Sequence, residues 1–78
     1  MKLYSPMAKD SEGYDHWTYD SYLSLDECKK VFKCWEDGYG WKLPCMWVEV
    51  TDTDKPGERE RIEVRKDYIF GEAEKVEG

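Results

Sequence analysis

Residues 24–38 constrain this chain most, because several independent signals there specify a single capped amphipathic helix. Ser24-Leu25-Asp26-Glu27 matches a capping box: the Ser24 hydroxyl accepts from the amide of Glu27, and the Glu27 carboxylate returns to the amide of Ser24. Leu23, just before the cap, is placed to staple onto Cys28. Asp26 and Glu27 fall in the first turn, where they complement the positive end of the helix dipole. At about 100° per residue, Leu25, Cys28, Val31, Phe32 and Trp35 share a stripe about 120° wide, and Asp26, Lys29, Lys30, Lys33, Glu36 and Asp37 lie outside it. One face is therefore buried and the other wet. Gly38 is expected to supply the left-handed residue that closes the helix, with Gly40 keeping the loop from resuming it.

On either side of the helix the pattern changes to that of strands. Asp10-Ser11-Glu12-Gly13 is a cluster of turn formers between two strand-like segments, residues 2–8 and 14–22, which reads as a β-hairpin. Pro6 breaks the ladder of the first segment and suggests an edge strand. In the second segment Trp17 and Tyr19 share one face, favoured as the inward one, and Tyr14, His16 and Thr18 the other. After the helix, residues 45–50 alternate with Met46, Val48 and Val50 inward. Residues 59–66 alternate with Ile62 and Val64 inward and with Arg59, Arg61, Glu63 and Arg65 outward.

The register of this second hairpin follows from its faces. A two-residue Pro56-Gly57 loop would set Val48 or Val50 against an outward residue, so a longer or bulged loop is expected. Pairing Glu49 with Arg61 also avoids opposing Glu49 to Glu63. Tyr68-Ile69-Phe70 is a last apolar patch available to close the core. The expectation is an α+β, two-layer fold, with one helix on a mostly antiparallel sheet of about four strands in the order ββαββ.

Seventy-eight residues make a single domain, expected over residues 1–70, and a chain this short buries only roughly 60–65% of the surface its unfolded form exposes. Twelve basic and eighteen acidic residues give a net charge of −6. Residues 71–78, where Glu72, Glu74 and Glu77 face only Lys75, are expected to form a frayed acidic tail. Elsewhere the charges alternate in sign, which reads as solvated surface and argues against direct nucleic-acid binding. No apolar run suits a signal peptide or a membrane span. Three cysteines cannot close a disulfide framework, so reduced thiols and a cytoplasmic location are expected.

His16, Cys28, Cys34 and Cys45 are residues of zinc-ligand type, but none are spaced as the close pairs by which one turn aims two ligands at one ion. Cys34 lies near the helix C-terminus, where the dipole disfavours a thiolate nucleophile. The carboxylates are too scattered to propose an acid–base pair. Asp52-Thr53-Asp54 lacks the rest of a calcium loop, and Gly38-Tyr39-Gly40 lacks the length and lysine of a phosphate loop. No catalytic residue, metal site or cofactor is expected.

The unusual feature is four Trp and six Tyr in so short a chain. Trp47 shares the outward parity of Arg59, Arg61 and Arg65, so a large ring and a row of guanidinium groups should form one exposed strip, with cation–π contact within reach. Trp and Arg are over-represented among residues that dominate protein interfaces. Trp41, in the loop after the helix, is expected to extend the strip. A competing reading covers Trp47 with residues 68–70 and leaves the arginines to balance Glu49 and Glu63. The leading expectation is a non-enzymatic interaction or regulatory module that binds a protein partner or a second copy. The alternative is an acidic protein that inhibits a nucleic-acid-binding protein by imitating phosphate charge.

Overall fold

The computed structural model describes residues 1–76. Its elements run β1 (Lys2–Lys9), β2 (Asp15–Trp17), α1 (Leu25–Lys33) continued by a π-helical turn (Cys34–Gly38), β3 (Cys45–Asp52), β4 (Arg59–Arg65), a short 3₁₀ turn (Lys66–Tyr68) and β5 (Ile69–Val76). The fold is α+β: five antiparallel strands in the order β2-β1-β3-β4-β5, with the helix on one face. Among the described residues no helix is long and apolar enough to cross a membrane.

The helix begins as its sequence dictates and ends differently. Ser24 is extended (φ −148°) and its hydroxyl accepts from the Glu27 amide at 3.3 Å. The Glu27 carboxylate, however, accepts from the amide of Leu23 at 3.2 Å, not from that of Ser24. Leu23 is 63% exposed instead of covering the helix face. Cys28, Phe32 and Trp35 are buried, with Leu25 and Val31 packed beside them. Gly38 does not take the left-handed conformation. The chain widens into a π turn, in which the amide of Tyr39 donates to the carbonyl of Cys34 at 3.2 Å, and Gly40 (φ 70°) makes the reversal.

Pro6 sits in an interior strand, not at an edge, because β1 pairs with both β2 and β3. Tyr4 and Tyr22 exchange amide–carbonyl bonds of 2.8 Å, so the even-numbered residues of β1 turn their peptide groups toward β2. The missing N–H of Pro6 therefore falls on that side alone. There β2 stops at Trp17, and pairing resumes only at the isolated Tyr4–Tyr22 bridge. The expected strand over residues 14–22 is thus reduced to three residues. The proline ring points inward and is fully buried.

The second hairpin has the expected faces and register. Val48 opposes Ile62, Met46 opposes Val64, and Glu49 opposes Arg61. Its connection is the longer one, with Asp52 accepting from the amides of Asp54 and Lys55 and with Gly57 at φ 92°. Beyond it, the stretch expected to fray is a strand as far as Val76: Ile62 opposes Ala73 and Arg61 opposes Glu74 across a bulge. Residues 77 and 78 of that stretch lie outside the described residues. A fifth strand thus joins the expected four, since the otherwise unpaired edge of β4 offers partners to the backbone groups of β5 that face it.

Candidate functional site

Opposed residues in a sheet share a face, so the register assigns every strand residue to the helix side or the open side. The helix side holds Tyr4, Pro6, Ala8, Met46, Val48, Val50, Ile62, Val64 and Phe70. His16, opposite Ala8, belongs there too, and Trp17, opposite Met7, belongs to the open side, the reverse of the favoured orientation. Trp17 is 54% exposed, and Tyr19, beyond the strand, is 98% exposed.

On the open side one row runs across four strands: Trp17, Met7, Trp47, Glu63. The next row toward the second hairpin loop is Ser5, Glu49, Arg61, Glu74. The Arg61 guanidinium lies 4.4 Å from the centre of the Trp47 ring, and its Nε donates to the Glu63 carboxylate at 2.6 Å. Arg59 and Arg65 stand further along β4 on the same face, both exposed. The predicted strip of Trp47, Arg59, Arg61 and Arg65 is therefore assembled on one face. Met7 and Trp17 extend it through β1, an extension invisible until β1 is known to neighbour β3.

Residues 68–70 do not cover Trp47. Tyr68 and Phe70 pack toward the core, and Ile69 reaches the open face opposite Arg65, 60% exposed. Trp47 is half-buried by its neighbours on the strip, and its Nε1–H is buried without an acceptor, a cost on the order of 1–3 kcal/mol.

Trp41 does not join the strip. The π turn and Gly40 fold it back onto the helix side, where it stacks on His16 (4.0 Å between ring centres) and Tyr39 (4.8 Å) and meets Trp35 at 6.2 Å. His16 Nε2 and the Asp10 carboxylate are 2.7 Å apart, and this bond holds the Asp10 carboxyl below its ordinary range. The Asp10 carboxylate also accepts from the amides of Glu12 and Tyr14, fixing the first turn. Asp15, His16, Trp17, Tyr19, Trp35 and Trp41 line an open cavity of about 270 Å³ beside this cluster. Sequence reasoning missed it; its only trace there is the density of aromatic residues near 14–19 and 35–41.

A larger cavity of about 430 Å³ opens at the far end of the helix, with an apolar floor of Leu43, Met46 and Val64 and a rim that includes Glu36, Asp37 and Asp67. Burial, and the neighbouring Glu36 carboxylate, push the Tyr68 hydroxyl well above its ordinary range. Asp67 and Tyr68 both have positive φ, 64° and 59°.

The thiols are dispersed. Cys28 is fully buried under the helix, where burial raises it to about 11. Cys34 is exposed near the helix end, and Cys45 is exposed on the open sheet face. Among the described residues no three His, Cys, Asp or Glu side chains are grouped to hold a metal ion.

Comparison with known proteins adds no relative: no protein-family model, no curated protein and no solved structure matches the chain significantly.

Proposed function

We propose that this protein is a non-enzymatic interaction module whose binding surface is the open face of the sheet, centred on Trp47 and Arg61 and extended by Met7 and Trp17. The observation that carries this reading is the guanidinium of Arg61 lying 4.4 Å over the Trp47 ring in the middle of the sheet face opposite the helix. An aromatic ring already backed by an arginine loses little side-chain freedom on binding, and Trp and Arg are the commonest anchors of protein interfaces. Arg59 and Arg65 flank the anchor and supply directional polar contacts at its rim. Trp41 belongs to the other side of the molecule and has no part in this surface.

The test is a Trp47→Ala, Arg61→Ala double variant, shown to be folded by circular dichroism and compared with the wild-type chain in affinity capture. Loss of the wild-type partners supports the site. A folded double variant that keeps every partner refutes it.

A second reading has its own observation. Four basic and four acidic residues hold paired positions on the open face and cancel there, so the net charge of −6 arises from residues outside those pairs. Glu36, Asp37 and Asp67 gather round one cavity there. Such a surface favours a basic protein and supports charge mimicry of a phosphate backbone. Binding to a basic nucleic-acid-binding protein that weakens steeply with salt and with Glu36→Gln, Asp37→Asn would favour this reading over the first.

A further inference from the structure

The β2 edge of the sheet carries an imidazole with one nitrogen engaged and the other free. Nε2 of His16 lies 2.7 Å from the Asp10 carboxylate, between part-buried side chains. That bond, with those from the amides of Tyr14 and Glu12, favours the ionised form of Asp10. A carboxylate only accepts, so Nε2 carries the proton and donates it. The tautomer is thereby fixed, and in the neutral ring Nδ1 is left as an acceptor. Among the described residues nothing donates to Nδ1, and it is not a buried atom. His16 lines the open cavity of about 270 Å³ at this edge, together with Asp15, Trp17, Tyr19, Trp35 and Trp41.

The rings around it are held in place by one another. His16 stacks on Trp41 at 4.0 Å, Tyr39 stacks on Trp41 at 4.8 Å, and Trp35 lies tilted against both His16 and Trp41 at 6.2 Å. With two rings stacked on it, Trp41 meets the cavity by its edge. Trp17 and Tyr19, both exposed, supply the apolar surface that a ligand would cover. Asp15 brings the one carboxylate of the lining. It lies 3.6 Å from Lys9, but both side chains are more than half exposed, and so solvated a pair binds the carboxylate weakly. An apolar cavity with a small number of placed polar groups is the usual form of a small-ligand site.

We infer that this cavity binds a primary ammonium group carried on a short apolar body, with the ammonium donating to Nδ1 of His16 and neutralised by Asp15. The body packs against Trp17, Tyr19 and Trp35, whose ring faces also attract a cation. The sign of the ligand follows from Asp15 and from a chain of net charge −6, which repels anions. Its N–H follows from the free acceptor. The volume falls just below the roughly 300–1,000 Å³ of drug-sized pockets, which suits a small free amine or the end of one lysine side chain. The inference is independent of the open-face reading, since neither Trp47 nor Arg61 lines this cavity.

NMR titration of the full chain at about pH 8, above the range in which an ordinary imidazole takes up a proton, tests the inference. Phenethylamine is the probe and the indole N–H signals are the readout. Saturable binding is expected with a Kd of about 0.1–1 mM, moving the signals of Trp17, Trp35 and Trp41 and leaving that of Trp47 in place. Phenethyl alcohol, which lacks the charge, and trimethylphenethylammonium, which lacks the N–H groups, should each bind at least about fivefold more weakly. Asp15→Asn, at an exposed position that leaves the fold intact, should raise the Kd for phenethylamine by about the same factor. Nα-acetyl-lysine methylamide separates the sources: binding tighter than that of phenethylamine names a lysine side chain, weaker binding a free aromatic amine. No saturation by either amine at about 10 mM overturns the site, as does a response led by Trp47. Equal binding of the alcohol, or an unchanged Kd in Asp15→Asn, overturns the role of Asp15, and equal binding of the trimethylated ligand overturns that of His16.

Discussion

Replacing Arg61 by methionine removes a charge and keeps a flexible stem of similar reach, which isolates what the guanidinium does on the open face. Two groups compete for it: the Trp47 ring at 4.4 Å and the Glu63 carboxylate at 2.6 Å. The ion pair is solvated, with the Arg61 and Glu63 side chains 39% and 58% exposed, so screening holds it to about 0–0.5 kcal/mol. Stacking on a half-buried indole contributes about 0.5–1 kcal/mol. Arg61→Met should therefore destabilise the fold by about 1 kcal/mol. In double-mutant cycles most of that should appear as coupling to Trp47→Leu, with no more than about 0.3 kcal/mol as coupling to Glu63→Gln. With a urea dependence of about 1 kcal/mol per M for a domain this small, the Trp47 coupling amounts to about 0.5–1 M in the unfolding midpoint. High salt should erase the Glu63 term and leave most of the Trp47 term. A Trp47 coupling below about 0.2 kcal/mol, or one abolished by salt, refutes the assignment of this contact as the organised centre of the face.

Phe32 is fully buried between helix and sheet, so Phe32→Ala should cost about 3–5 kcal/mol, a large share of the roughly 4–12 kcal/mol such a chain has; thermal melting by circular dichroism checks it. Ser24→Ala removes the cap on the Glu27 amide and should cost about 1 kcal/mol, seen as a lower urea midpoint without loss of cooperativity. Asp67 holds φ 64° without being glycine, so Asp67→Gly should be neutral or stabilising by up to about 1 kcal/mol; a clear destabilisation would mean that the Asp67 side chain holds the turn. Stability should fall in alkali. The Cys28 thiol is raised in the folded state from 9.0 to about 11, so its contribution is complete below pH 9 and lost as pH climbs toward 11, on the order of 2–3 kcal/mol. Tyr68 is displaced in the same direction, and urea midpoints measured from pH 8 to 11 should fall less steeply in Cys28→Ala.

Local chemistry determined what could be read without a fold. The Ser24 cap and the stripe of Cys28, Phe32 and Trp35 specify a helix and its buried face within a few turns of chain, and the alternation of Met46, Val48 and Val50 with Ile62 and Val64 specifies a hairpin. Charge then chose the pairing of Glu49 with Arg61, because the alternative even register sets carboxylate on carboxylate. Trp47 and the arginines of β4 could be joined into one strip for the same reason: they lie on strands adjacent in sequence.

What depended on distant partners could not be read. Alternation groups residues into two sets but does not say which set faces the core, so the sides of Trp17 and His16 follow only from their neighbours Met7 and Ala8. Pro6 looks like an edge residue unless the side of its missing N–H is known, and only the Tyr4–Tyr22 bonds show that the loss falls toward β2. Residues 71–76 have a composition suited to a frayed tail and become a strand because β4 would otherwise leave its outer backbone unpaired. Trp41 lies on the helix side because a π turn and one left-handed glycine, not side-chain pattern, set its direction. The chain itself determined the helix and the Trp47–arginine pairing. Tertiary structure decided that Met7 and Trp17 complete that surface, because it alone places β1 between β2 and β3, more than thirty residues from the β3 strand it pairs with.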